Sequence, residues 1–211
     1  PSCGSVTWMD DAGFAQLWGR WESLDLDHVR ELMAGFDRPW WIAGGHAIEA
    51  FTGVCRSHED VDVAFFRSDL PRLREHLQDD WHMWSVGSGL MRPITDEYPD
   101  LHPESGQVWL RQHALAPWVL DLLASPGDLT AYKVRFYDAF HAPLEDVTWT
   151  DDAGTRWLNP EVVLGFKSRH RRAKDEADLQ AALPLLDERG TRRLRLLVRH
   201  VDPEHPWLQR L

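Results

Sequence analysis

The segment Trp40-Trp41-Ile42-Ala43-Gly44-Gly45-His46-Ala47-Ile48-Glu49-Ala50, followed by Arg56-Ser57-His58-Glu59-Asp60-Val61-Asp62-Val63, constrains this chain more than any other. An apolar strand runs into a Gly-Gly turn and a short helix, and a second strand then carries two aspartates. Residues two apart on a strand face the same side, so Asp60 and Asp62 are expected to present their carboxylates together. Val61 and Val63 then point the other way, into a core. Paired carboxylates beside a glycine-lined turn suit a site that holds a divalent metal and phosphate.

The chain of 211 residues fits one domain, or a domain with a smaller appendage. No apolar run approaches the length of a membrane span, and no basic-then-apolar leader opens the sequence, so a cytoplasmic location is expected. Cys3 and Cys55 are read as free thiols in a reducing compartment, and the scattered histidines form no zinc-spaced cluster with them. A net charge of −11 argues against a general nucleic-acid binder. The charge is uneven: Lys167 to Arg199 holds ten Lys/Arg against five Asp/Glu, and the stretch before it twelve against twenty-seven. A basic C-terminal part opposite an acidic front half could clamp a polyanion, although a solvated helix face of mixed charge is the simpler reading.

Apolar spacing of three and four predicts helices over Asp10–Trp21 and Asp25–Phe36. Trp40–Ala43 reads as a buried strand, His46–Phe51 as a helix stopped by Gly53, and Val61–Phe66 as the second strand. Asp69-Leu70-Pro71 opens a helix to about Gln78, with Asp69 as its cap. Strands follow at Trp81–Val86, Gln107–His113 and Trp118–Leu123, with a polar, acidic loop over Pro93–Pro103 between the first two. Tyr132–Trp157 reads as short strands and turns. After Asn159, read as an N-cap with Pro160 in the first turn, the pattern is helical through Lys174–Leu186 and Thr191–Val201. The expectation is an α+β chain: a mixed sheet flanked by helices over residues 1–158, and a C-terminal helical part over 159–211.

Asp-x-Asp and Gly-Gly are each weak signals, but here they occur in order on a strand–turn–helix–strand frame. A third carboxylate, Asp121, sits within the apolar run Trp118-Val119-Leu120-Asp121-Leu122-Leu123. An ionised carboxylate there needs a cation partner or a metal. Together, Trp41 to Ala50, Gly53, Arg56, His58 and Asp60-Val61-Asp62 resemble the nucleotidyltransferase superfamily of the DNA polymerase beta type. Within it they are most similar to the small antibiotic nucleotidyltransferases, of the aminoglycoside 2''-adenylyltransferase and lincosamide kind. A second stretch, Leu158-Asn159-Pro160-Glu161 to Lys167 and Arg172-Ala173-Lys174-Asp175 to Leu179, resembles a pattern of bacterial relatives.

The resemblance implies the nucleotidyltransferase fold and a Mg²⁺-dependent enzyme. It would move a nucleoside monophosphate, AMP from ATP or that of another NTP, to a hydroxyl of a small polar acceptor such as an aminoglycoside-like antibiotic, releasing pyrophosphate. Asp60, Asp62 and Asp121 would hold two Mg²⁺ ions, with Asp121 also the base for the acceptor hydroxyl. Gly44 and Gly45 would cradle phosphates through their amides, and Lys167 from the helical tail would neutralise triphosphate charge. Many superfamily members carry Gly-Ser at the turn, so the Gly-Gly here places more weight on backbone and Lys167. His46 either contacts phosphate or packs, and Arg56 either reaches phosphate or pairs with Glu59 or Glu49. His58 is read as a brace for the Asp60 strand, and Asp175 and Asp178 as caps or partners of Arg172 and Lys174. Trp81, Trp84 and Trp109 are candidates for an acceptor cleft, and the acidic loop Asp96–Glu104 suits a polycationic acceptor. Nucleotidyl transfer to tRNA or to a protein of a toxin–antitoxin pair, and a non-catalytic nucleotide-binding protein, are the alternatives.

Overall fold

A computed structural model describes residues 11–211. Helices α1 (Asp11–Trp18) and α2 (Leu26–Leu32) precede β1 (Trp40–Ile42), α3 (Gly44–Thr52), β2 (Asp62–Phe66) and α4 (Leu70–Leu77). Strands β3 (His82–Gly87), β4 (Leu90–Pro93), β5 (Gln107–Arg111) and β6 (Leu120–Ser125) come next. Then β7 (Tyr132–Val134), β8 (Tyr137–Ala142), α5 (Leu144–Val147), β9 (Thr148–Thr150) and β10 (Arg156–Leu158) lead to α6 (Pro160–Lys167), α7 (Ala173–Ala182) and α8 (Glu188–Val201). Cys3 and Asp10 lie outside the described residues, and Cys55 is free and exposed.

Eight strands form one mixed sheet in the order β4-β3-β5-β6-β2-β1-β10-β9, and β7 and β8 pair separately. The expected mixed sheet flanked by helices is therefore present. β2 sits in the middle, parallel to β6 and antiparallel to β1. Val63, Ala64, Phe65 and Phe66 are all buried, which is why this strand reads as a continuous apolar run after Asp62. α3 ends where Gly53 takes a left-handed conformation (φ 69°), as the sequence indicates.

The C-terminal helices α6 and α8 are held to one another by packing and charge. A Cβ on Gly165 of α6 would crowd Leu197 of α8, so glycine permits the close approach of these helices. A buried Arg193–Glu161 pair (2.7 Å) links the same two helices. Leu194, Leu197 and Val198 face inward on α8 while Arg192 and Arg199 face solvent, so much of the basic tail is a solvated helix face.

Two expected caps are not made. Asp69 gives no side-chain cap to α4 because a short 3-10 turn over Arg67–Asp69 precedes the helix. Asn159 turns its amide toward the carbonyl oxygen of Asp146 and the Glu161 carboxylate rather than toward the amides of α6. Asp25, in contrast, accepts from the His28 amide at 2.9 Å and caps α2.

Candidate active site

Strand register assembles the carboxylates. Asp62 on β2 pairs with Asp121 on β6, Asp121 with Trp109 on β5, and Trp109 with Trp84 on β3. Directly opposed residues project from the same face, so Trp84, Trp109, Asp121 and Asp62 form one row across the sheet. Gln107, two residues before Trp109, shares that face, and its amide donates to Asp121 Oδ2. The expectation that Asp60 lies on the same strand as Asp62 is corrected: the ladder begins at Asp62, and Asp60 is an exposed residue just before it. Its charge still acts on both neighbours.

Burial is the main cause raising Asp62 from 3.8 to about 6, with the Asp60 charge adding to it and Lys167, Lys174 and Arg172 opposing. Asp121, only 8% exposed, is pushed well above the ordinary carboxylate value by burial, then by the charges of Asp62 and Asp60. Hydrogen bonding from the Trp109 and Gln107 side chains of β5 opposes that rise. Two enclosed carboxylates this close are costly when both are ionised, and a divalent ion would relieve that cost. Among the described residues no three His, Cys, Asp or Glu side chains converge as an all-protein metal cage. The pair Asp62 and Asp121 fits the other mode, usual for Mg²⁺, in which one or two carboxylates bind and phosphate oxygens and water complete the shell.

The Gly-Gly turn lies against this pair. Gly44 has φ 59°, and a Cβ there would overlap Asp62 Oδ2. A Cβ on Gly45 would overlap the Arg56 guanidinium and crowd the His58 ring. Both glycines are therefore required by close approach, and they set the N-terminus of α3 directly beside Asp62. Ala43 at the cap position supplies no side-chain acceptor to the amides of the first turn, which leaves them suited to an anion.

Around the turn, side chains pair with one another. His46 stacks on His58 with ring centroids 3.9 Å apart, and His58 Nε2 lies 2.6 Å from Glu49. Burial, then the His58 charge, holds the His46 imidazole below its ordinary value, so it favours the neutral form. Of the alternatives open for Arg56, neither Glu59 nor Glu49 takes its guanidinium: Nε lies 2.9 Å from Asp178 on α7. The Arg56 amide does reach Glu49, at 3.3 Å. Asp178 also lies 2.9 Å from Lys167 Nζ, and Asp175 lies 3.4 Å from it. Arg172 pairs with Asp175 as expected, while Lys174 pairs with Glu59 rather than with either aspartate.

Two cavities meet at the carboxylates. One, of about 470 Å³, is lined by Gly44 and Asp62 and by a set of cations: Lys133, Arg135, Lys167, Arg169 and Arg172. Lys133 and Arg135 come from β7 and the turn after it, and sequence reading passed over them. No local signal marked them, because Arg135 lies in the turn beyond β7 and the ladder is irregular between Lys133 and Val134. The other cavity, of about 720 Å³, is lined by Asp121, Asp60, Glu59, Trp109, Trp21, Arg20, Ser23 and Ala15. Of the tryptophans expected in an acceptor cleft only Trp109 lines it; Trp81 and Trp84 line a separate cavity of about 220 Å³. The acidic loop Asp96–Glu104 contributes nothing to its wall. Its carboxylates come from Glu59, Asp60 and Asp121 instead.

Residues 25–86 match the family model of the aminoglycoside-2''-adenylyltransferases. The structure is similar to the solution structure of the antibiotic-resistance factor ANT(2'')-Ia, at 14% identity and a TM-score of 0.50 over 87% of this chain and 92% of that one. It is similar to the crystal structure of ANT(2'')-Ia in complex with adenylyl-2''-tobramycin, at 15% identity and a TM-score of 0.52 over 81% and 95% of the two chains. A third likeness is to the lincomycin-bound lincosamide antibiotic adenylyltransferase LnuA, at 15% identity and a TM-score of 0.51 over 78% and 100%. No curated protein matches the sequence significantly. The fold is thus the one these adenylyltransferases share, as the sequence resemblance implies.

Proposed function

We propose that the chain is a nucleotidyltransferase that moves AMP from ATP to a hydroxyl of a small polycationic acceptor, an antibiotic of the aminoglycoside kind, and releases pyrophosphate. The observation that carries this reading is the Asp62–Asp121 pair standing between a cationic cavity and an acidic, tryptophan-lined one. The cationic cavity suits a triphosphate, and the acidic one suits an acceptor bearing ammonium groups. The family match over residues 25–86 and the shared fold support the same chemistry.

In this reading the sheet domain, residues 1–158, carries the carboxylates, and the helical part, 159–211, completes the triphosphate site. Lys167 reaches the cavity from the end of α6, Arg169 and Arg172 from the connection to α7, and Lys133 and Arg135 from the hairpin. The first amides of α3, at Gly44, Gly45 and His46, hold phosphate oxygens. Lys167 shares its charge with Asp175 and Asp178, so it acts as part of a network that also fixes Arg56 behind Gly45. Asp62 and Asp121, with Asp60 at their edge, would hold Mg²⁺, which supplies charge stabilisation at the attacking and leaving oxygens, as two ions where both sites fill. Asp121 lines the acceptor cavity, and that position suits it to take the proton of the attacking hydroxyl. As that proton leaves, the acceptor oxygen bonds to the α-phosphorus and the bond to the pyrophosphate oxygen breaks.

The acidic lining of the second cavity disfavours tRNA, whose phosphates Glu59, Asp60 and Asp121 would repel. No helix among the described residues is long and apolar enough to cross a membrane. Incubation with ATP labelled at the α-phosphorus, Mg²⁺ and tobramycin or lincomycin tests the proposal. Label should pass to the acceptor, γ-label should not, and Asp62→Asn and Asp121→Asn should each reduce transfer by about a thousandfold or more. Absence of acceptor labelling across both antibiotic classes would overturn it.

A further inference from the structure

A segment that precedes the family-matched region forms one wall of the acceptor-side cavity. Residues 18–24 run alongside 118–119 and bond to them. The Trp118 amide donates to Arg20 O at 2.9 Å, and the Glu22 and Leu24 amides donate to Trp118 O and Val119 O, each at 2.9 Å. The Trp118 indole donates to Trp18 O at 2.6 Å, and Trp21 forms an isolated parallel bridge with Trp118. These bonds fasten the segment to the approach of β6 and place the Trp21 ring beside Trp109, centroids 5.0 Å apart and planes at 79°.

Behind this pair lies a cluster of aromatic rings and one guanidinium. Trp118, 1% exposed, meets Trp109 at 5.6 Å and Trp84 at 5.8 Å. The Arg111 guanidinium stands 4.6 Å from the Trp84 ring and 4.4 Å from that of Trp118. Trp118 fills the interior of the cluster, whereas Trp21 and Trp109 are partly buried and line the cavity with Asp121, Asp60 and Glu59. An edge-to-face aromatic pair thus stands beside the carboxylates that would receive ammonium groups. Arg20, also in the wall, is offset by Glu22 at 3.4 Å.

We infer that Trp21, acting with Trp109, is a specificity-determining residue that selects acceptors presenting a rigid saturated ring with ammonium substituents over flexible chains of the same charge. The inference rests on the proposed acceptor site. A saturated amino-substituted ring offers C–H groups on its face and polarised C–H next to ammonium, both of which an indole attracts. A linear polyamine satisfies the carboxylates but lays little rigid surface on the rings. Asp60 and Glu59 then supply charge recognition, and Trp21 the shape recognition.

Calorimetry on the whole chain with two tetracationic probes tests this: neamine, which carries two rings, and spermine, which carries none. The native chain should bind neamine about tenfold more tightly than spermine. Trp21→Ala should weaken neamine about tenfold and leave spermine within about twofold, and Trp21→Phe should keep most of the preference. The Kd for Mg·ATP should stay within about twofold in both variants, which also reports that they are folded. Equal weakening of both probes by Trp21→Ala, or no change in either, would overturn the inference while leaving the acceptor site standing. Failure of the native chain to bind either probe would overturn the acceptor site itself, and the inference with it.

Discussion

Replacing Asp62 with Asn separates the cost of this carboxylate to the fold from its use in the site. The folded chain raises Asp62 from 3.8 to about 6, mainly by burial. A carboxyl with a higher pKa folded than unfolded favours folding while it is protonated, and that contribution is lost as pH rises from about 4 through about 6. A rise of about two pKa units corresponds to about 3 kcal/mol, so with Asp62 partly exposed the loss is on the order of 2 kcal/mol. Asn keeps the shape that fits against Gly44 and carries no charge. It also relieves Asp121, which the Asp62 charge raises further. The Asp62→Asn chain, stripped of divalent metal, should therefore melt about 4–8 °C above the native chain near neutral pH. The gap should close toward about pH 4. Thermal unfolding followed by circular dichroism in EDTA across that range is the assay. Mg·ATP should then reverse the order, since it stabilises the native chain by mass action and the variant lacks a ligand for the metal. A variant less stable than the native chain near neutral pH, or a gap that does not vary with pH, would refute the reasoning.

Gly44→Ala puts a Cβ into the Asp62 carboxylate at a position with φ 59°. It should lower stability by about 1–3 kcal/mol in chemical unfolding and abolish Mg·ATP binding by calorimetry. Lys167→Met leaves Asp175 and Asp178 buried with one cation fewer. It should cost about 3–5 kcal/mol in urea unfolding, so its effect on activity will follow the loss of fold. Arg135→Gln removes a cavity cation that lies at the exposed end of the hairpin. Steady-state kinetics should show an ATP KM raised about tenfold, with the melting temperature and the acceptor KM little changed.

Much of the frame was legible because it rests on short-range patterns. Gly44-Gly45 before a helix, Gly53 after it, and the apolar run after Asp62 follow from backbone conformation and side-chain alternation. Asp121 stood out because a carboxylate within a buried strand needs an explanation. The two caps read as such at Asp69 and Asn159 failed because their neighbours, the 3-10 turn and the Asp146 carbonyl, were not visible in a local window. Arg56 shows the same limit: its partner Asp178 lies 122 residues away, and burial rather than nearness in sequence chose it.

The sequence by itself determined the strand–turn–helix–strand frame, the three carboxylates and the helical tail, since all depend on residue type and period. Only the tertiary structure decided that Asp121 stands opposite Asp62, that Lys133 and Arg135 join Lys167 around one cavity, and that Trp21 meets Trp109 over another. Strand register and long-range pairing follow from how elements bury one another, and a one-residue slip would turn Asp121 to the opposite face. Composition carries no record of that choice.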